Sequence, residues 1–208
     1  MKNTTVTGPK GFLAAGISAG IKVSGKKDVG IICCPTGAKA AAVFTTNKVV
    51  SAAVTVSKSH IKSGTTEAVI VNSGNANTCT GKVGIQNAEA MCNIAAELID
   101  AKANEILVAS TGIIGHQLPM ENVSNGIILA AAKLSSSENA GLDFAHAIMT
   151  TDTKCKQAFK SVTIGGKQIN IAGTTKGAGM IGPNMATTLC FITTDADISK
   201  TLLQQALR

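Results

Sequence analysis

Short apolar runs that stop at loops of small polar residues limit most strongly how this chain folds. Val29–Cys34 (V-G-I-I-C-C) ends at Pro35-Thr-Gly37, and Ala68–Asn72 (A-V-I-V-N) opens into Ser73-Gly-Asn-Ala-Asn-Thr-Cys-Thr-Gly81. Ile106–Ala109 ends at Ser110-Thr-Gly112. Short apolar runs bounded by turn formers predict buried strands. Ala40–Thr45 and Ala52–Val56 read as further strands. Between them lie helical patterns. Ala88, Met91, Cys92, Ala95, Leu98 and Ile99 share one face, as do Val123, Ile127, Ala131 and Leu134 within Glu121–Leu134. Leu142–Met149 predicts a shorter helix. Ser161–Ile171 alternates around Gly165-Gly166, which predicts a hairpin. Thr188–Thr193 predicts a last strand, followed by a helix from near Lys200 capped by Asp197 or Ser199. That helix has little chain left to pack on it before Arg208, so this end reads as a truncation.

Strands alternating with helices predict an α/β fold, and 208 residues suffice for one large domain or two small ones. The core must be built from small side chains. Apolar residues make up 45% of the chain, yet there is no Trp or Tyr and there are five Phe. Scarcity of aromatics also argues against nucleic-acid binding. The +7 net charge comes from scattered lysines and forms no basic stripe interleaved with stacking residues. No internal repeat and no low-complexity segment is evident. The six cysteines contain no C-x-x-C pair and read as reduced thiols, mostly buried. Three histidines without ligand spacing give no expectation of zinc. No signal-peptide pattern or membrane-length apolar run is seen, so the expected location is the cytoplasm, with no membrane partner.

Several segments carry possible chemistry. In K-G-A-G-M-I-G-P-N-M-A-T-T from Lys176, the junction Ala186-Thr187 lies between a Gly-rich loop and a strand. A threonine hydroxyl there can attack the preceding carbonyl and shift the acyl group from N to O. That shift frees an α-amine with a pKa of about 7.7–8.0, and hydrolysis of the ester then frees the hydroxyl, for which the amine is suited to act as base. An ordinary strand threonine fits the same pattern, and Thr188 is a rival nucleophile. Thr111 and Gly112, at a strand end, offer a hydroxyl and an N–H to an oxyanion, or a plain turn. Asn72–Asn77 offers amides for a polar pocket or turn residues. Thr150-Thr-Asp-Thr153 can contact a substrate or cap a helix. Lys176 can pair with a carboxylate or stand exposed in a loop. The loop is not a P-loop, because the G-x-x-x-x-G-K-[ST] order is absent. His116 and His146 lack an evident nucleophile to serve.

Taken together, these segments resemble one family. P-K-G-F-L-A-A-G-I-S-A-G-I-K from Pro9, V-F-T-T-N from Val43 and V-N-S-G-N-A-N-T-C-T-G from Val71 match it in order. So do S-T-G-I-I-G from Ser110, H-A-I-M-T-T-D-T from His146 and K-G-A-G-M-I-G-P-N-M-A-T from Lys176. The chain resembles the ArgJ family of ornithine acetyltransferases (glutamate N-acetyltransferases) over essentially its whole length. The resemblance implies a layered α/β sandwich of the kind shared with the self-processing aminopeptidase DmpA. It implies cleavage between Ala186 and Thr187, giving an α chain 1–186 and the start of a β chain at 187–208. Thr187 would take acetyl from N-acetylornithine and pass it to glutamate, in arginine biosynthesis. Thr111 and Gly112 would form the oxyanion pair, while Thr150, Lys176 and Thr187 would contact substrate. No cofactor or metal is implied, with acetyl-CoA a possible co-substrate, and the expected assembly is α2β2 with the protein's own β chain.

Two departures stand out. The family's M-A-T-M-L is M-A-T-T-L here, and family chains run to about twice this length. An acidic residue and further polar substrate contacts of the family fall beyond Arg208. Two other readings accompany the acetyltransferase: a self-processing aminopeptidase or amidase of the same fold, and an inactive truncated fragment acting as a subunit.

Overall fold

The computed structural model describes residues 3–179 and 188–208. Two sheets organise the chain. The first has four strands: β1 (Leu13–Ile17), β2 (Val29–Lys39), β3 (Thr65–Asn75) and β4 (Ile106–Ile113), side by side in that order. β1 pairs antiparallel with β2 and β2 with β3, whereas β3 and β4 run parallel. The parallel pair needs a crossover, supplied by α2 (Gly81–Ile99). The second sheet is an antiparallel meander of β5 (Lys156–Ile164), β6 (Lys167–Lys176) and β7 (Leu189–Thr194). Its first turn is the expected Gly165-Gly166, both left-handed with φ of 57° and 76°, as a two-residue hairpin loop of this hand requires.

The first sheet is buried on both faces. Ile31, Ile70, Ile106 and Val108 point to one side. There they meet α1 (Ala52–His60), α2 and α3 (Met120–Ala132) through Ala53, Val56, Met91, Ala95, Val123 and Ile127. Ala14, Ile32 and Val71 point to the other side, against Phe144 and Ile148 at the end of α4 (Glu138–Ala147) and against Leu189 and Phe191 of β7. The architecture is thus a helical layer, a sheet, and a further layer of α4 and the second sheet, a mixed α/β sandwich as expected. Phe144 is fully buried, and its ring meets that of Phe191 edge to face at 5.3 Å between centroids. In a chain this poor in aromatics, that ring pair joins α4 to the second sheet.

Both edges of the first sheet are covered. The amide and carbonyl of Ala14 in β1 bond the backbone of Ser135. At the β4 edge, the hydroxyl of Ser57 on α1 donates to the Val108 carbonyl at 2.6 Å and accepts from the Val108 amide at 2.8 Å. One side chain thereby satisfies two groups that an edge strand would leave open.

Two expected strands are corrected. Ala52–Val56 is the start of α1, not a strand. The Ser51 hydroxyl caps it by accepting from the Ala53 amide, and Ala52, Ala53, Val56 and Ser57 form the buried helical face. Ala40–Thr45 forms no strand, because β2 leaves its partner at Lys39↔Thr65. Beyond that point the Ala42 carbonyl is taken by the Gln204 side chain. The hairpin is longer than Ser161–Ile171, since pairing runs from Lys156↔Thr175 to Ile164↔Lys167. Of the two cap candidates for α5 (Lys200–Ala206), Ser199 is the N-cap, accepting from the Leu202 amide. Cys33, Cys34 and Cys92 are buried and all six cysteines are free thiols. Among the described residues, no helix is long and apolar enough to cross a membrane.

Phe144 bridges the layers, so Phe144→Ala should cost about 3–5 kcal/mol. Urea unfolding followed by circular dichroism will show this as a lowered midpoint with an unchanged slope.

Candidate active site

β3 and β4 run parallel, so their carboxyl ends lie together. In register, Asn72 faces Ser110, Ser73 faces Thr111 and Gly74 faces Gly112. Two motifs picked from the sequence therefore form one sheet end. The junction is too tight for side chains: a Cβ on Gly112, whose φ is 138°, would sit 2.3 Å from the Gly74 carbonyl carbon. Beyond β3 the chain turns on its asparagines. Asn75 donates to the carbonyls of His116 and Gln117 and accepts from the Asn77 amide. Asn77, itself at φ 48°, donates to the Gly84 carbonyl of α2 and accepts from Thr80. The Asn72–Asn77 amides thus hold loops together, which is the turn-forming side of the two readings above.

Alternation along β4 decides what Thr111 meets. Val108 and Ser110 share the helical face of the sheet, so Thr111 points to the opposite face. Lys176, the last residue of β6, lies on the inner face of the second sheet with Ala172 and Thr174. Its ammonium donates to the Thr111 hydroxyl oxygen at 3.0 Å, across 65 positions of sequence. Both residues are buried. An ammonium only donates, so the Thr111 oxygen is the acceptor and its own proton remains to be donated elsewhere. Polarisation by the charge makes that hydroxyl a better donor.

Thr150 lies just past α4, half-buried, in the segment that returns toward Lys176. The link is Asp152, whose side chain is 1% exposed. Its carboxylate accepts from the Lys156 ammonium at 2.5 Å, the Gly177 amide at 2.9 Å and, more weakly, the Thr150 amide at 3.4 Å. Lys156 also donates to the Gly177 carbonyl at 2.7 Å. Desolvation acts to raise the Asp152 pKa, but the bonds from Lys156, Gly177 and Thr150 outweigh it and hold the value at about 2. Lys176 is shifted the other way. Its pKa is lowered, foremost by burial, with Asp152 opposing the shift and Lys156 adding to it. Nearby Lys22 is also lowered, to about 8, chiefly by burial, with Asp28 opposing. Its side chain packs over Gly74: a Cβ there would lie 3.2 Å from Lys22 Cγ.

Thr111, Gly112, Thr150 and Lys176 are thus gathered around the carboxyl ends of β4 and β6. Ala186 and Thr187 lie outside the described residues. The described residues continue from Thr188, whose hydroxyl oxygen is 3.1 Å from where a Gly177 Cβ would be, and Leu189 pairs with Lys176. His116 and His146 are exposed and are not among the groups at this site. Sequence reasoning passed over Asp152, Lys156 and Lys22 individually. The only signal was the T-T-D-T segment holding Asp152 four residues before Lys156. Among the described residues, no group of three or more His, Cys, Asp or Glu is placed to hold a metal ion.

Comparison with known proteins shows the family. The sequence pattern of the ArgJ family matches residues 13–208. The arginine biosynthesis bifunctional protein ArgJ of Caldanaerobacter subterraneus subsp. tengcongensis is 48% identical over 200 residues, covering 96% of this chain and 49% of that protein. A protein of that name from Bacillus cereus is 48% identical over 209 residues, covering 100% and 50%. The chain spans about half the length of the curated relatives it matches. Among solved structures, the ArgJ protein of Bacillus halodurans superposes with a TM-score of 0.85 at 41% identity, over 89% of this chain and 96% of that one. Ornithine acetyltransferase of Mycobacterium tuberculosis, crystallised with ornithine, gives 0.82 at 36% identity, over 88% and 96%.

The folded-state pKa of Asp152 is depressed, so its contribution to stability is present above the ordinary carboxylate range and is lost as pH falls through about 2. Asp152→Asn should therefore lose roughly 2 kcal/mol near neutral pH. The gap from the parent should close as pH drops from 4 toward about 2, read by urea unfolding at a series of pH values.

Proposed function

The chain belongs to the ArgJ family, and we propose on that premise that its protein is a self-cleaving acetyltransferase of arginine biosynthesis, moving acetyl from N-acetylornithine to glutamate. The observation that carries the reading is the Lys176–Thr111 hydrogen bond at 3.0 Å. It arms a buried hydroxyl as a donor beside Gly112, at the carboxyl end of a parallel strand pair. An oxyanion formed in acyl transfer needs such a donor, fixed in advance where water is scarce.

Maturation breaks the Ala186–Thr187 bond. The Thr187 hydroxyl attacks the Ala186 carbonyl and the acyl group moves from N to O, which frees the Thr187 α-amine; water then hydrolyses the ester, restoring the Thr187 hydroxyl and leaving Ala186 with a carboxylate. Support comes from the next residue, Thr188, which adjoins Gly177 while Leu189 pairs with Lys176. In the transfer itself, the Thr187 α-amine takes the hydroxyl proton as the oxygen attacks the acetyl carbonyl. The Thr111 hydroxyl and the Gly112 amide donate to the developing oxyanion. The proton passes to the leaving nitrogen, ornithine departs, and acetyl remains as an ester on Thr187. The α-amine of glutamate then attacks that ester, releasing N-acetylglutamate and restoring the hydroxyl. Thr150 and Lys176 contact substrate, and the +7 charge suits acidic amino acids.

The same reading places a chain boundary at Ala186–Thr187, dividing 1–186 from the segment that starts at 187, with both parts assembling as α2β2 in the cytoplasm. No metal or organic cofactor enters the reaction, and acetyl-CoA is a candidate co-substrate.

Intact mass spectrometry should find a fragment beginning at Thr187, and Thr187→Ala should leave the chain uncut. Acetyl should pass from N-acetylornithine to glutamate without acetyl-CoA. Thr111→Val should lower kcat by about a hundredfold to a thousandfold. Cleavage of Thr187→Ala at the same bond, or dipeptide hydrolysis with no acetyl transfer, would overturn the proposal.

A further inference from the structure

We infer that Asp152 is the positioning residue of this site: paired with Lys156, it clamps the backbone of Gly177 and so fixes the neighbouring Lys176, in place and in charge, against Thr111. The inference rests on the reading above for the task that Lys176 performs. The geometry is specific. Both backbone polar groups of Gly177 are taken, the amide by the Asp152 carboxylate at 2.9 Å and the carbonyl by the Lys156 ammonium at 2.7 Å. The two side chains bond each other at 2.5 Å, closing a small ring around a single glycine. Gly177 has φ 150° and stands where β6 ends and the Gly-rich segment begins. Lys176 ends β6 paired with Leu189, and the ring holds the glycine peptide groups that follow it, where the sheet pairing stops.

Asp152 is also the anion on which a buried Lys176 depends. The titratable groups around Lys176 are Asp152 and Lys156 from the second sheet and its approach, and Lys22 from the loop after β1. Of these three described groups, Asp152 is the negative one. Burial and the neighbouring cations disfavour the charged form of Lys176, and this carboxylate favours it. Lys156 is 43% exposed, so water can compensate its loss, whereas Asp152 is almost wholly enclosed. The clamp also reaches the other side of the site, because the Thr150 amide leans on the same carboxylate. One carboxylate thus ties the segment after α4 to the end of β6, and Lys176 carries that tie to β4.

A purely structural anchor and a positioning residue make different predictions. The protein as its gene encodes it, labelled with 15N-lysine, allows Lys176 to be titrated by NMR, with Lys176→Arg assigning the signal. Asp152→Asn keeps the shape and removes the charge. It should move the Lys176 titration down by about one pH unit or more. Lys156→Met removes a like charge and should move it up. In steady-state assays, the alkaline limb of kcat should follow both directions. Asp152→Asn should also lose roughly tenfold to a hundredfold in kcat, with a smaller change in KM. Opposite shifts of Lys176 in the two variants support the inference even where acetyl transfer is not found, in which case the functional reading alone fails. An unmoved Lys176 in Asp152→Asn, in a parent that transfers acetyl, overturns the inference and leaves the functional reading standing. Should Asp152→Asn fail to fold, Lys156→Met decides: a titration that stays put or moves down overturns the inference.

Discussion

The parallel pairing of β3 with β4 is the constraint on which the rest depends. A parallel pair cannot be joined by a tight turn, so α2 crosses over between them, and both faces of the sheet must then be covered. One face takes the helices. The other takes α4 and the second sheet, which brings β6 over the end of β4. Register does the remaining work. Because side chains alternate, Thr111 points to the second sheet, while Ser110 points to the helices with Asn72 as its partner in register. A slip of one residue would aim Ser110 at Lys176 and bury the wrong hydroxyl. Glycines at paired positions 74 and 112 permit the close approach that ends the strands together.

Upon that frame sits an electrostatic arrangement that is costly to build. Lys176 is buried and its charge is opposed by burial. The cost is offset locally by a hydroxyl acceptor on one side and the Asp152 carboxylate near the other. Asp152 in turn is enclosed, and is kept ionised by donors from Lys156 and two backbone amides. The charges are thus distributed along a chain of contacts that runs from Thr150 through Asp152 and Gly177 to Lys176 and Thr111. Such a network holds Thr111 from several sides, as the proposed oxyanion role requires, since a donor that must reorganise during the reaction gives back much of its benefit.

How much of this could be read from sequence differed by element. The buried strands Val29–Cys34, Ala68–Asn72 and Ile106–Ala109 announced themselves as apolar runs, and the α2 face as a helical stripe. Ala52–Val56 looked like a strand because alanine and valine fit either period over five positions. The Ser51 cap and the β4 edge that Ser57 covers decided for helix. Ala40–Thr45 had strand-like composition but lies past Lys39↔Thr65, where the β2–β3 pairing ends. β1 (L-A-A-G-I) is short and rich in small residues, so nothing in its pattern marks it apart from a loop. At the site, Thr111, Gly112, Thr150 and Lys176 were legible as members of motifs. Asp152 was not, because an aspartate after a helix is ordinarily solvated, and only packing reveals that this one is enclosed.

By itself, the sequence determined the class of fold and named the candidates for the reactive groups. Apolar periodicity reports local structure, and a motif shared with a family reports chemistry. It also foretold a core of small side chains, which lets sheets and helices lie close. The tertiary structure alone decided which of those groups meet. Lys176 and Thr111 are 65 positions apart, and no local pattern encodes a contact at that range. It arises because two-sided burial of β3 and β4 stacks the second sheet over the first. Likewise, burial turned Asp152 from a turn residue into the fixed anion beside Lys176, since the energy of a charge depends on its surroundings and not on its place in the chain.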